Sequence, residues 1–216
     1  MIAAAAHEAA LPLVCVIEDD PSVRDALDGL LRSVGHAVAI FGSAAAFLQD
    51  GLRHRVGCLI VDIRLPGMSG LDFQSQLSRQ GHDIPIIFMT GHGDVEMSVR
   101  AMKRGAVDFL EKPFRDQDML DAVTAAMERD RKRRETAQAS AAVRAAFASL
   151  TPREREVMGL VTAGLMNKQI AAEMGLSEIT VKIHRGHAMR KMGARSLAEL
   201  VRMADLLGVS AAPRAG

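Results

Sequence analysis

The chain has 216 residues, 49% of them hydrophobic and 25% charged, which is typical of a globular protein and excludes a disordered or fibrous chain. Two domains of about 100 residues each are expected at this length. The net charge of +1 hides a division: residues 1–130 contain 12 basic and 19 acidic residues (net −7), and residues 131–216 contain 15 and 7 (net +8). An acidic half suited to a cation therefore precedes a basic half suited to a polyanion.

The N-terminal segment and the cysteines indicate an intracellular protein. Met1–Ala6 lacks the basic start of a signal peptide, and His7 and Glu8 interrupt its apolar run. Apolar runs elsewhere fall short of the ~20 residues that a membrane span needs. Cys15 and Cys58 fit neither a disulfide framework nor a zinc spacing, so buried free thiols are expected, near one another if their strands are adjacent. The sequence thus predicts a soluble, cytoplasmic protein without a membrane partner.

The acidic half alternates between apolar runs of strand length and segments of helical periodicity. The predicted strands are Leu13–Ile17, Val38–Phe41, Cys58–Val61, Ile84–Met89 and Val107–Glu111. Helical patterns lie within residues 20–35, 44–48, 71–77, 95–102 and 118–127. This alternation predicts βαβ units, and hence an α/β fold with a doubly wound parallel sheet and helices on both faces.

A change of composition near residue 128 predicts a linker between two domains. The charged run Arg129–Glu135 is followed by a stretch rich in Ala and Ser. We interpret this segment as a solvated helical extension or linker rather than a separate basic arm that grips DNA. The predicted boundaries are residues 1–128 for the first domain, 129–147 for the linker and 148–216 for the second domain.

The second domain has the pattern of an all-helical structure. Capping boxes predict helix starts at Thr151 and Ser196. Between them, the short helix Asn167–Met174 ends at a glycine and is followed by the longer basic helix Glu178–Met192. A short helix, a turn containing glycine and a longer basic helix form a helix-turn-helix.

Four of the predicted strands end at residues suited to phosphate chemistry. Glu18 and Asp19 follow the first strand, Asp62 the third, Thr90 the fourth and Lys112 the fifth. Ligands of an open parallel sheet bind at the carboxyl ends of its strands, so these side chains are expected to converge. Carboxylates are ligands for Mg²⁺, and Asp62 is the candidate nucleophile because carboxylates form aspartyl phosphates. Lys112 would neutralise one phosphoryl oxygen, and the Thr90 hydroxyl would donate to another.

These residues resemble the receiver domain of bacterial two-component response regulators. The matching stretches, within residues 13–127, are Val16–Arg24, Val61–Gly70, Met89–Asp94 and Asp108–Phe114. The resemblance implies a flavodoxin-like sheet and phosphorylation of Asp62. The metal ligands that it implies are Glu18, Asp19, Asp62 and the backbone carbonyl of Arg64, with Asp20 a bystander.

The resemblance also implies a switch in which Phe109 moves as Thr90 is drawn toward the phosphoryl group. From the residues alone, Phe109 fits an ordinary core position equally well. The rival function is a magnesium-dependent phosphatase similar to the haloacid dehalogenases. Such enzymes typically have Asp-x-Asp after the first strand, whereas here Asp20 is followed by Pro21 and Ser22, and the lone Asp62 follows a later strand.

The basic helix Glu178–Met192 fits the major groove of DNA, where Arg and Lys read guanine and apolar side chains contact thymine methyl groups. Its charge alone also fits a solvated surface helix. The chain has 0 Trp and 0 Tyr, which argues against stacking on single-stranded DNA or RNA.

Three segments, Leu150–Val157, Asn167–Ala171 and Leu197–Leu200, resemble the LuxR-type DNA-binding domain. Together with the receiver, the chain is similar to the NarL/FixJ family, closer to its FixJ-like branch. The resemblance implies base contacts from Lys182, Ile183 and position 186, and because Gly186 has no side chain, Arg185 is expected to read more of the site. The implied phosphate contacts are Lys168, Thr180, His184 and Arg190. A metal site at His184 and His187 lacks further ligands nearby in sequence.

The two resemblances together imply a transcriptional regulator rather than an enzyme. A sensor histidine kinase would phosphorylate Asp62 with Mg²⁺. The change would pass to the face formed by the fourth helix, the fifth strand and the fifth helix, where a homodimer forms. The dimer would bind double-stranded DNA and act with RNA polymerase.

Overall fold

A computed structural model describes residues 11–91 and 95–209 of the chain. The chain divides into two compact units, residues 1–133 and 134–216. The segment Met1–Glu8, used above to exclude a signal peptide, and the predicted loop residues His92 and Gly93 lie outside the described residues. Among the helices of the described ranges, none combines the length and apolar character that a membrane span requires.

The first unit contains a parallel sheet of five strands. They are β1 (Leu13–Ile17), β2 (Val38–Phe41), β3 (Val56–Asp62), β4 (Ile86–Thr90) and β5 (Asp108–Glu111). Their order is β2-β1-β3-β4-β5, the flavodoxin-like order, which reverses between β1 and β3. Both β1 and β3 are buried along their whole length, because strands covered on both faces need continuous rather than alternating apolar residues.

Helices cover both faces of the sheet and produce two separate cores. They are α1 (Pro21–Ser33), α2 (Ala44–Asp50), α3 (Gly70–Arg79), α4 (Val95–Lys103) and α5 (Asp116–Ala148), with a 3₁₀ turn at Leu52–His54. Successive strand residues point to opposite faces. Cys15 therefore packs in the core that contains Phe47 and Phe73, and Cys58 in the core that contains Leu31 and Met119. Both thiols are free and buried as expected, but the sheet lies between them.

Helix α5 includes the segment that the sequence predicts to be a helical extension or linker. The predicted last helix of the first domain and the predicted linker form a single helix that runs from Asp116 to Ala148. Its charged residues are paired along the helix: Glu128 pairs with Arg131 and Lys132, and Asp130 pairs with Arg133. These pairs engage basic side chains within the helix itself, which favours a helical linker over a basic arm that grips DNA.

The second unit contains four further helices around a core of its own. They are α6 (Pro152–Thr162), α7 (Asn167–Met174), α8 (Glu178–Met192) and α9 (Leu197–Leu207). The core includes Val157, Ile170, Val181 and Leu200, and Phe147 from the end of α5 packs against it.

The helix starts of this unit follow the predicted caps with one difference. Thr151 and Glu154 form the predicted capping box. Ser196 caps α9 by accepting from the backbone N–H of Glu199, but the Glu199 carboxylate accepts from the N–H of Arg195 rather than from Ser196. The second box is therefore half formed.

Candidate functional site

The carboxyl ends of β1 and β3 bring two acidic side chains together. The Cα atoms of Ile17 and Val61 are partners in the parallel register, so the next residues of the two strands, Glu18 and Asp62, lie side by side. Both are buried, Glu18 at 1% and Asp62 at 7% relative exposure, whereas Asp19 is exposed. Water-excluded carboxylates need compensating partners because burying a charge without one is costly.

Lys112 supplies that compensation from the end of β5. Its Nζ donates to Glu18 Oε2 at 2.6 Å and to Asp62 Oδ2 at 2.5 Å. The backbone N–H of Lys112 donates to the carbonyl of Thr90 at 2.7 Å, which fixes the end of β5 against β4. A single ammonium group therefore joins two carboxylates that belong to β1 and β3.

Burial and charge pull the pKa values of this cluster in opposite directions. Burial raises the pKa of Glu18 above its usual range, and the hydrogen bond from Lys112 opposes that rise. Burial would lower the pKa of Lys112, but hydrogen bonds and charge attraction from Asp62 and Glu18 outweigh it and raise that pKa. The side chain of Lys112 is therefore protonated and positively charged at neutral pH.

The acidic residues also form a set suited to a metal ion. One carboxylate oxygen from each of Glu18, Asp19 and Asp62 lies within 4.8 Å of the others. Hard oxygen donors of this kind suit Mg²⁺, which binds through a few carboxylates and keeps waters. Arg64, whose carbonyl was predicted as a further ligand, donates its backbone N–H to Asp62 Oδ1 at 2.7 Å and so orients the carboxylate.

The other two predicted residues of this site lie on β4 and β5. Thr90 is fully buried and directly follows Met89, whose Cα is the register partner of Asp62. Phe109 is the register partner of Phe88 and packs, partly buried, against the core that contains Phe73. Phe109 is thus a core residue with one side still accessible, and its role as a switch remains a prediction.

Two residues that shape the site were quoted in the motifs without a role. The Arg24 guanidinium donates to the carbonyl oxygens of Glu18 and Asp19, each at 2.8 Å, and fastens the β1–α1 turn. Gly70 lies so close to β3 that a Cβ on it would be 2.7 Å from the carbonyl oxygen of Asp62. Asp20, predicted to be a bystander, caps α1 by accepting from the N–H groups of Ser22 and Val23. Sequence periodicity carries no signal for the first two roles.

The predicted DNA-contacting residues lie on or next to the second helix of the helix-turn-helix, α8. The exposed ones are Lys168 on α7 and Lys182, Ile183, Gly186 and Arg190 on α8. Thr180 and His184 are half-buried, and the Thr180 hydroxyl lies 2.8 Å from that of Ser177. Ile183, Gly186 and Arg190 share one face of the helix because they are three, four and seven residues apart, and Lys182 lies at its edge, four residues before Gly186.

Arg185 and two histidines of α8 have contacts that bear on their predicted roles in base reading and metal binding. Arg185 is half-buried and donates to Asn167 Oδ1 at 3.1 Å, so its guanidinium already ties α8 to α7. Nδ1 of His187 lies 3.6 Å from Oε1 of Glu154. Within the described residues, the one group of three metal-ligand side chains is the acidic cluster at Asp62, so His184 and His187 gain no third ligand.

Comparison with known protein families assigns each of the two units to a family. The family described as "Response regulator receiver domain" matches residues 14–124, and that described as "Bacterial regulatory proteins, luxR family" matches residues 148–204. Neither match supports the phosphatase alternative.

Several relatives match this chain over most of its length, and so across both units. Nodulation protein W of Bradyrhizobium diazoefficiens is 61% identical over 199 residues, covering 92% of this chain and 88% of that protein. Transcriptional regulatory protein FixJ of Azorhizobium caulinodans is 47% identical over 199 residues, covering 92% and 94%. The solved structure of the response regulator StyR matches with a TM-score of 0.82 and 47% identity, covering 91% of this chain and 99% of that one. The chain therefore belongs to the NarL/FixJ family of two-component response regulators, on its FixJ-like branch, as a DNA-binding transcriptional regulator.

Proposed function

We propose that Asp62 is the phosphoacceptor of this regulator and that a sensor histidine kinase is the donor. The supporting observation is the Asp62 carboxylate itself, which is buried and oriented at both oxygens, by the N–H of Arg64 and by Lys112. Phosphoryl transfer depends mainly on such positioning and on charge neutralisation. An oxygen of Asp62 would bond to phosphorus as the bond from phosphorus to the histidine nitrogen of the kinase breaks.

Mg²⁺ would bind at Glu18, Asp19, Asp62 and the backbone carbonyl of Arg64. Bound there, the ion would neutralise part of the phosphoryl charge. Phosphorylation adds about −1.5 to −2 charges at a place where carboxylates already lie close together. Lys112 would turn from the carboxylates to one phosphoryl oxygen, and the hydroxyl of Thr90 would donate to another.

Movement of Thr90 would then pass to Phe109 and to the face formed by α4, β5 and α5. This face carries apolar side chains in contact with solvent: on α4, Val99 is 45% and Met102 is 46% exposed. Covering them in a homodimer would bury apolar surface, which favours association. Thr90 and Phe109 thus link the phosphorylation site to the dimer surface.

The linker would comprise residues 129–147 and the DNA-binding domain residues 148–216. This domain would place α8 in the major groove of double-stranded DNA. Lys182 and Ile183 would contact bases. Arg185 would contribute a further base contact to the extent that its hydrogen bond to Asn167 leaves its guanidinium available. Lys168, Thr180, His184 and Arg190 would contact phosphates. A dimer would place two such helices about one helical turn apart, ~10 base pairs. It would act on RNA polymerase in the cytoplasm.

Labelling by acetyl phosphate with Mg²⁺ tests the phosphoacceptor. Asp62→Asn, nearly isosteric but unable to form an acyl phosphate, should abolish labelling and leave the circular dichroism spectrum unchanged. The control Asp20→Asn lies in the same turn and keeps a good helix cap, so it should label normally. Full labelling of Asp62→Asn would show that the site is elsewhere.

Sedimentation with and without beryllofluoride, which mimics the phosphoryl group, tests the dimer. The full chain should be mainly monomeric without it and dimeric with it. Lys112→Ala should still accept a phosphoryl group but stay monomeric, because the added charge has lost its partner. An unchanged sedimentation coefficient with unchanged DNA affinity would reject the dimer and leave the phosphoacceptor assignment intact.

A further inference from the structure

Helix α8 exposes two large apolar side chains one turn apart. Ile179 is 73% exposed, the highest value for a large hydrophobic residue in the described ranges, and Ile183 is 52% exposed. Single exposed apolar residues are common on protein surfaces and need no explanation. These two, however, lie four residues apart on a helix whose other exposed positions include Lys182, Arg190 and Lys191, so they form an apolar stripe on a basic surface.

The stripe lies on the face of α8 that the helix-turn-helix presents outward. Ile179 shares this face with Lys182, Ile183 and Gly186, because these positions are three, four and seven residues further along the helix. Gly186 adds no side chain, and a Cβ built there would meet open space. Ile179 belongs to the first turn of α8, after the N-cap Ser177. In a helix-turn-helix, the first residues of the second helix reach base edges.

The major groove offers one apolar group, the C5-methyl of thymine. We infer that Ile179 is a specificity-determining residue that recognises a thymine methyl group and, with Ile183, forms an apolar reader beside the guanine-reading Lys182. This inference rests on the proposed DNA binding by α8.

The spacing of the two side chains fits neighbouring bases. Four residues of α-helix rise ~6 Å at 1.5 Å per residue. Base steps along one strand rise ~3.4 Å. The two isoleucines can therefore contact methyl groups about two base steps apart when the helix runs along the groove.

A methyl-deletion cycle tests the inference. Preferred duplexes are first selected from a random pool with the full-length chain treated with beryllofluoride and Mg²⁺. Each thymine is then replaced singly by deoxyuridine, which removes only the methyl group. At the thymine facing Ile179, the wild-type chain should lose affinity about fourfold, the value for one buried CH₂ group. With Ile179→Ala this loss should disappear at that thymine alone.

The controls separate this contact from general effects. Leu206→Ala removes an apolar side chain that is 60% exposed on α9, outside the reading helix, and should keep the full methyl sensitivity. Ile179→Val should retain most of it. Alanine favours helix at an exposed position, so Ile179→Ala should fold normally, which circular dichroism checks.

Two negative outcomes have different meanings. If the wild-type chain binds selected duplexes but deoxyuridine changes nothing, or if Ile179→Ala keeps every methyl effect, Ile179 does not read thymine although DNA binding stands. If the wild-type chain enriches no duplex at all, the proposed function fails and this inference fails with it.

Discussion

Nζ of Lys112 lies 2.5 Å from Oδ2 of Asp62 and 2.6 Å from Oε2 of Glu18. The same ammonium group thus lies between two carboxylates that are almost entirely shielded from solvent, and it is itself only 21% exposed. The attraction between the ammonium group and the carboxylates is strong where water is excluded. The repulsion between the two carboxylates is equally strong when the cation is removed. We therefore expect Lys112 to contribute to folding in addition to its proposed role in phosphate chemistry.

Lys112→Met should destabilise the first unit by about 3 kcal/mol at neutral pH without magnesium, because two buried carboxylates lose their shared partner. Adding MgCl₂ should recover part of the loss, since an ion that binds only the folded state stabilises it. Urea unfolding with and without MgCl₂ measures both effects. Lys103→Met, at an exposed position of α4, is the control and should change little. Equal stability of the two variants would contradict the structural role of Lys112.

Removal of individual basic side chains of α8 should separate base reading from phosphate binding. Lys182→Ala should relax specificity at one base position at a cost of about 1–3 kcal/mol. Arg190→Ala should weaken binding to all sequences about equally and reduce the slope of log affinity against log salt by about 0.9, the value for one phosphate contact. Titrations at several salt concentrations, with specific and random duplexes, distinguish the two. A uniform loss for both variants would reject the assignment of Lys182 to a base.

A fragment of residues 134–216 should be more stable than one of residues 148–216. The shorter fragment lacks Val143, Ala146 and Phe147, which pack against the core of the second unit. The Phe147 ring also has the Arg155 guanidinium 5.2 Å from its centroid. Loss of a buried aromatic side chain typically costs about 3–5 kcal/mol, and partial burial here should bring the loss toward the lower value. Thermal unfolding followed by circular dichroism compares the fragments. Equal midpoints would place the boundary at residue 148, as the composition suggests.

The carboxylate of Glu154 should make the second unit sensitive to acid. Hydrogen bonds from Lys191, at 2.7 Å, and from the N–H of Thr151 lower the pKa of Glu154 from 4.5 to about 2. The ionised form is thus favoured in the folded state. Its contribution to stability is complete above pH 4.5 and is lost as the pH falls toward 2.

Lys191→Met should reduce this acid dependence and cost about 1.5 kcal/mol near neutral pH, the lower end for a charged hydrogen bond because Lys191 is 38% exposed. Lys182→Met is the matched control on the same helix. Unfolding of residues 134–216 between pH 2 and pH 7 is the measurement. An identical pH profile for wild type and Lys191→Met would contradict the coupling.

The two cysteines should be inert in the folded protein. Burial, reinforced by the charge of Asp50, raises the pKa of Cys15 to about 12. Burial also raises the pKa of Cys58. Because the thiolate is the reactive form, iodoacetamide at pH 8 should modify neither residue in the native state and both in urea. Rapid modification of the native chain would show that one face of the sheet opens more readily than its packing indicates.

The sequence predicted that Glu18 and Asp62 would lie together because parallel strands place their carboxyl ends side by side. Knowing that Glu18 and Asp62 end two strands was enough to expect them in one crevice. The sequence also predicted Lys112 at this site, but not that its ammonium group would bridge both carboxylates, because the length of a side chain does not fix its direction. Arg24 contacts backbone carbonyls, which leave no pattern in the sequence.

The sequence did not show that the last helix of the first domain and the helical linker are one continuous helix. The change from apolar to charged residues near Glu128 predicts a boundary between domains. Residues 115–151 nevertheless contain neither glycine nor proline, so the chain has no local reason to end the helix. The change in composition reflects a change in the environment of the helix. The absence of glycine and proline is what predicts that the helical backbone continues.

The contact between Gly70 and the carbonyl oxygen of Asp62 has a mechanical consequence. With 2.7 Å available to a Cβ at position 70, the start of α3 and the end of β3 are in direct backbone contact. The added carbon would also lie 3.1 Å from the Cα of Ile63, so it would be too close to two atoms of the same Asp62–Ile63 peptide group. A single methyl group at position 70 would act as a wedge against the peptide of Asp62. Any force that displaces the first turn of α3 is likewise transmitted to the aspartate without an intervening side chain.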